Sequence, residues 1–463
     1  MVSQTKRRNS RTATIQLARQ LVAMLALALL LPLLTTSSAN AAGRYEGVAS
    51  CAGSTCHGRS EGDGKVVRQD ELRTWQEPSS KAGAHSRAFA SLTGGRGQRI
   101  ASTLGLGDAT SASACLGCHA TSAPAGQRGL RFRLSDGVGC ESCHGAASGW
   151  LASHYAVPAS HAQNLANGMA ALDRPRARAS VCLDCHFGST KPGQFVTHSM
   201  MAAGHPRLTF ELDLFSTLQQ HHDVDNDYER RKGKSDSVQL WAIGQAEAVR
   251  RSTGLFATPQ FGSSGVFPEF YFYDCHSCHR QINDNPGAKR TFETNPGRPI
   301  AFGSPPYNDE NIIMLSAVSR ILAPGQAARF DAASRNFHAA MGKGRLQAQS
   351  AAAQLRNAAG ALSAAIAARS YQRDTAFIVI AAISGKSIRP RFTDYAGSAQ
   401  AVMAVDTLLN SLVREGRVTI GAAAGIRANI NRAYAAVSSP GRYDPPTFRA
   451  ALGHAARSIA ALR

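Results

Sequence analysis

The chain has 463 residues, 43% of them hydrophobic and 18% charged, with 51 Lys and Arg against 31 Asp and Glu for a formal charge of +20. Such a length exceeds one average domain, makes two units the default and leaves ample chain for a sizeable core. The charge is weak evidence for a nucleic-acid or membrane partner, because five of the basic residues and no acidic ones fall in the first forty-one positions.

Those positions read as an export leader. Lys6, Arg7, Arg8, Arg11 and Arg19 precede an apolar run over 21–34, and Ala39-Asn40-Ala41 is a small-residue cleavage site. The competing reading, a retained anchor, is disfavoured because Pro32 interrupts a run already too short to span. No later stretch is apolar enough to cross a bilayer. A soluble periplasmic product, cleaved near Ala41, is expected.

Ten cysteines follow, and an even count in an exported chain normally means disulfides. Here each pair is followed at once by histidine. Cys51 and Cys56 precede His57 with four residues between the thiols. Cys115 and Cys118 precede His119, Cys140 and Cys143 precede His144, Cys182 and Cys185 precede His186, and Cys275 and Cys278 precede His279. Two thiols three apart with an adjoining imidazole is the spacing by which a chain captures haem covalently and ligates its iron. Zinc would explain the thiols but not the histidine after every pair. The first pair, irregularly spaced, also admits a disulfide or metal knuckle; its company favours haem. Five covalently bound haem c groups are expected, and their ten propionates would offset much of the positive charge.

A second imidazole for each iron must come from elsewhere. His85 shares one face of a predicted helix with Ala88, Phe89 and Leu92, and Gly94, Gly95 and Gly97 beyond it read as a turn. Gly137, Gly139 and Gly145 flank the third motif, where the backbone would lie against a porphyrin without side chains in the way. His154 follows Trp150, a residue suited to pack on a haem face; His161 is a weaker candidate. His198 and His205 come next, with Pro206 stiffening the chain, then the pair His221 and His222, of which His222 is taken as the ligand. Met200 and Met201 read as packing. Residues 223–234 are charge-dense and read as a solvated loop, with partner docking the sharper alternative. His276 sits between two thiols and is badly placed for its own iron.

Four prolines within 296–306 read as a linker. Beyond it cysteine disappears, alanine abounds, and Leu355, Ala359, Leu362 and Ile366 align at helical spacing, as do Val402, Val405, Leu409 and Leu412. Gly416 reads as a helix stop and Asp444-Pro445 as a start. These helices suit docking, homo-oligomerisation or plain structural support.

The third motif with its flanking glycines, Trp150 and His154, the Ala-Ala-Gly-His-Pro-Arg-Leu run over 202–208, the His85 segment and the last motif together resemble the cytochrome c-554 family of multihaem cytochromes over roughly residues 45–285. The resemblance implies closely stacked, mainly bis-histidine haems that pass electrons in the periplasm. Departures are a fifth motif and the long first one, so the family's ammonia-oxidation role does not transfer. The implied fold is mainly α with extensive irregular loops: leader 1–41, a pentahaem cytochrome c domain over 42–300, and an α-helical C-terminal bundle over 301–463. Other periplasmic or membrane-bound redox proteins are the expected partners, with no nucleic acid and no retained transmembrane helix. The rival reading is a pentahaem reductase of a nitrogen or sulfur oxyanion with one open iron; no C-x-x-C-K motif supports it.

Overall fold

A computed structural model describes residues 43–65, 67–262, 268–280, 293–300, 304–371 and 374–463. The leader and its cleavage site lie outside them. Within them the chain is mainly helical, and strand pairing is limited to isolated bridges. Short helices and irregular loops carry residues 45–236, and long helices dominate from Ser237 onward.

The scaffold begins with the helix Ser237–Phe256, started by Asp236, whose carboxylate accepts from Gln239 N and from Tyr371 N. Its neighbours are Pro175–His186, Leu212–Leu218, Glu310–Leu322 and, along the greatest length, Arg345–Ala367. The last is rich in alanine, which favours helix and lets the partner helix approach closely. One core gathers Trp241, Ile243 and Phe256 with Ile313, Phe330, Phe337, Leu355, Leu362, Val405 and Phe448. It therefore draws on chain from both sides of residue 300. The two predicted apolar stripes, at 355–366 and 402–412, are fully buried in it. Gly416, at φ 69°, follows the Tyr395–Arg414 helix, and Asp444 caps Pro445–Ala460 through Thr447 N, as expected.

Three local expectations need correcting. Gly95–Thr103 is a helix and not a turn; Gly97 is there because a Cβ would meet the Ser91 and Leu92 backbone at 2.8–2.9 Å. Asn226–Lys232 is a short helix, capped by Asp225 and ending in Arg230, Arg231 and Lys232, so the dense charge suits the two ends of a helix dipole. The proline-rich stretch is not a free linker either. Arg298 is buried there, ion-paired to Asp309 and to Asp394 at 2.5 Å, with Asp274 at 3.6 Å. Proline composition marked the loss of regular structure correctly but said nothing about burial.

Two devices fasten the loop-rich part to this scaffold. Glu247, buried on the Ser237–Phe256 helix, accepts from Arg176 at 2.9 Å, Arg250 at 2.5 Å and Ser363 at 2.7 Å. Gln245 accepts from Asn311 and donates to Gln400, which in turn donates to Phe210 O at 2.9 Å. Both amide groups of Gln245 and Gln400 are fully engaged in that relay, which is what makes it tolerable in a core. Arg176 belongs to the helix that ends in the fourth motif, and Phe210 stacks on that motif's histidine.

Candidate haem ligand sites

Four of the motifs sit on a helical turn: Cys115, Cys118 and His119 in Ser113–His119, Cys140, Cys143 and His144 in Cys140–His144, Cys182, Cys185 and His186 at the end of Pro175–His186, and Cys275 and Cys278 in Cys275–Cys278 with His279 just beyond. Positions i, i+3 and i+4 share one face of a helix, so two thiols and an imidazole converge on a common object. The first motif is a turn. Cys56 N donates to Gly53 O at 2.8 Å and His57 N to Cys51 O at 3.1 Å, which absorbs the two extra residues. All ten cysteines are free thiols. Burial pushes the Cys143 thiol up to about 12 and Cys182 up to about 11, so both stay protonated near neutrality.

Opposite every motif histidine stands another imidazole. The ring centroids of His57 and His154 are 6.0 Å apart, those of His85 and His186 6.3 Å, His119 and His205 6.2 Å, and His198 and His279 6.2 Å. His144 faces both His221 and His222 at 6.3 Å. Two metal–nitrogen bonds of about 2 Å each, plus the two half-widths of the rings, sum to roughly this separation. Direct ring stacking would be closer, and the gap suits one ion between each pair. With thiols beside each gap, the donor set fits haem c held through two imidazoles. His85, His154, His198, His205 and His222, the second ligands expected from the sequence, are the residues brought there, with His221 added. Partners in a pair lie roughly eighty to a hundred residues apart.

Local packing explains each placement. His85 follows the turn Ala82–Ala84 with helical backbone rather than in a regular helix. Its carbonyl accepts from Val138 N at 3.0 Å, and Gly137, at φ 73°, would put a Cβ 2.6 Å from that oxygen. Glycine at 137 thus serves a backbone crossing beside His85, a reason other than the porphyrin clearance expected. Trp150 is buried and edge-on to His154 at 5.6 Å. His198 opens a helix capped by Thr197, and its N–H donates to Glu269 at 2.7 Å. His205 Nδ1 sits 2.8 Å from Pro206 O, His119 Nδ1 2.9 Å from Ala88 O, and His221 Nδ1 3.3 Å from Gln219 O. Holding Nδ1 in this way fixes ring orientation and leaves Nε2 for a metal. Burial, then the charges of His221 and His222, depresses His144 to about 3; burial and then His85 depresses His186 to about 4. Neutral imidazole, the ligating form, is favoured.

The remaining candidates lie elsewhere. His161 is half exposed, 3.4 Å from Asp173. Met200 and Met201 pack in the interior. His276 is buried with Nδ1 3.1 Å from Pro440 O and its ring edge-on to Tyr443, so it docks the last motif onto the C-terminal helices.

Sequence reasoning missed the carboxylates behind the ligands. Glu71 is buried with one oxygen 2.8 Å from His57 Nδ1 and the other 3.5 Å from His222 Nδ1. Burial opposes its charge, but contacts with His222 and His57 hold it well below the usual range. Glu141, inside the third motif, accepts from Glu46 N, Gly47 N and Ala147 N at 2.7–2.8 Å and ties the start of the described chain to that site. An acid in the first turn of a motif helix was a usable sign for Glu141; nothing flagged Glu71.

Residues 50–145 match the family model of cytochrome c554 and c-prime. This supports a c-type cytochrome, with covalently bound haem c. The matched stretch holds the first three motifs and His85, a fraction of the span over which the motifs resemble that family. No curated protein and no solved structure matches the chain.

The motifs also act on one another electrostatically. The Cys140 thiol, followed by burial, pushes Cys51 far up. Cys185, and then burial, act likewise on Cys118. The charges of Cys182 and Cys185 add to burial in raising Cys143. Arg207, two residues past His205, approaches Cys275 Sγ at 3.5 Å while ion-paired to Glu310 at 3.3 Å. Among the described residues no helix is long and apolar enough to cross a membrane.

Proposed function

We propose that the protein is a periplasmic c-type cytochrome that carries five haem c groups and passes electrons between redox partners, periplasmic or membrane-bound. The observation that carries this reading is that each of five motif histidines faces a second imidazole at 6.0–6.3 Å. Haem, when bound, supplies one-electron chemistry at iron. The chain supplies the rest. Ten thiols would anchor the groups at Cys51, Cys56, Cys115, Cys118, Cys140, Cys143, Cys182, Cys185, Cys275 and Cys278, and the paired imidazoles would hold each iron from two sides. A closed iron has no place for an oxyanion, so electron carriage is favoured over reduction of nitrite or a sulfur oxyanion.

Electrostatic coupling between motif thiols supports an order of sites: His57/His154, then His144 with His221 and His222, then His186/His85, then His119/His205, then His279/His198. Its first three junctions rest on the Cys51–Cys140, Cys143–Cys182 and Cys118–Cys185 neighbours, and its last on Arg207 beside Cys275. Segment 42–300 carries the sites, and the helices of 301–463 serve as their support.

The test is a haem count per chain together with spectra of the oxidised protein, with and without nitrite or hydroxylamine. Five haems, all low-spin and indifferent to both ligands, are expected. A high-spin signal that shifts on ligand addition would overturn the carrier reading in favour of a reductase.

A further inference from the structure

The geometry points to two interchangeable second ligands at the His144 site, His221 and His222, in contrast to a single facing imidazole at each of the other four sites among the described residues. The inference rests on the bis-histidine reading above and deepens it at one position. His144, His221 and His222 each offer a ring nitrogen, and the three nitrogens lie within 4.8 Å of one another. Both candidate rings stand 6.3 Å from His144, at interplanar angles of 87° and 86°. Neither is the better placed.

Adjacent side chains on an extended chain point to opposite faces. Here, in the loop between the helices Leu212–Leu218 and Asn226–Lys232, the two rings lie side by side, 4.3 Å apart and tilted by 40°. Each has a different group behind it. His221 Nδ1 is hydrogen-bonded to the neutral carbonyl of Gln219 at 3.3 Å, whereas His222 Nδ1, without a hydrogen bond among the described residues, lies 3.5 Å from the Glu71 carboxylate. Nε2 is then the atom each has to offer.

Those partners make the two ligands electronically unequal. A carboxylate behind an imidazole raises its basicity and stabilises the oxidised metal; a carbonyl does so less. Ligation by His222 therefore gives a lower potential than ligation by His221. Exchange breaks one imidazole–iron bond as the other forms, with no net gain or loss of electrons or protons. Glu71 also holds His57, so the His222-ligated state ties the first site to this one through a shared carboxylate.

Single variants His221→Ala and His222→Ala, and the double variant, would be purified with haem attached and examined by electron paramagnetic resonance and potentiometric titration. Both single variants are expected to stay wholly low-spin, with the His144-site potential lower in His221→Ala than in His222→Ala. The double variant is expected to show one high-spin haem in five, returned to low-spin by added imidazole. A high-spin signal in either single variant would make that histidine the sole ligand and overturn the proposal, as would a double variant that stays low-spin. If the double variant does not accumulate, the single variants decide alone. Four haems and one zinc in the unsubstituted protein would overturn the proposal and the five-haem reading together. A high-spin haem already present there, with five haems attached, would overturn only the all-bis-histidine reading.

Discussion

Single side chains set the chemistry in two distinct ways, as donors and as the groups behind donors. Removing the charge of Glu71 tests the second. Glu71→Gln should raise the reduction potential of the His57 haem by on the order of 60 mV, a tenfold change in a one-electron equilibrium, seen by potentiometric titration with the haem count unchanged. Gly137→Ala should cost about 1–3 kcal/mol, because φ is 73° and the new Cβ meets His85 O. The added methyl pushes on the backbone of His85, so a high-spin fraction should accompany the lower melting temperature. His338 gives a pH signature away from the haem sites. It is fully buried, neither ring nitrogen has a hydrogen-bond partner among the described residues, and burial lowers it from 6.5 to about 4. Between those values the unfolded chain binds a proton that the folded chain refuses, so stability is full above 6.5 and falls as pH drops toward 4. In His338→Gln that slope should flatten by up to about 1.4 kcal/mol per pH unit, measured by denaturant unfolding at several pH values. At this level the candidate donors were readable and their backing was not. A histidine after a cysteine pair is a local pattern, whereas Glu71 reaches His57 from fourteen positions away with no spacing rule to announce it.

Helices divide between those that carry ligands and those that hold them in place. Ligand carriers are mostly a turn or two long, too short to be stable alone. Their order must come from what they pack against, chiefly Ser237–Phe256 and the helices around it. Asp236→Ala removes that helix's cap and the Tyr371 contact, and should cost about 1–2 kcal/mol by denaturant unfolding, with haem spectra unchanged. Long amphipathic helices were readable because a periodic apolar stripe is the same thing as a buried face, as Leu355 to Ile366 illustrate. Short ones were not. Gly95 and Gly97 argue for a turn by composition, and only the close crossing over Ser91 and Leu92 explains why glycine is used inside a helix.

Across the whole molecule, the buried ion cluster around Arg298 joins the last motif to the C-terminal helices. Asp274 caps the Cys275–Cys278 helix, Asp309 precedes Glu310–Leu322, and Asp394 caps Tyr395–Arg414; all three point at one guanidinium. Arg298→Met leaves Asp274 and Asp394 buried without a cation and Asp309 with Arg391 alone, and should cost about 3–5 kcal/mol, read as a lower melting temperature and weaker attachment at Cys275 and Cys278. Such long-range closure is invisible to a linear reading, which met proline there and inferred slack. The pairing of the histidines is equally non-local, and it has a topology of its own. Going along the chain, His57, His85, His119 and His144 open four links, and His154, His186, His205 and His221 with His222 close them in the same order, first in and first out. The fifth link opens at His198 before the fourth has closed and ends at His279. No cut between 57 and 279 falls outside every pair, so with haem bound across the pairs no fragment of that region would be autonomous, and a protease nick anywhere within it would leave two pieces still stapled together.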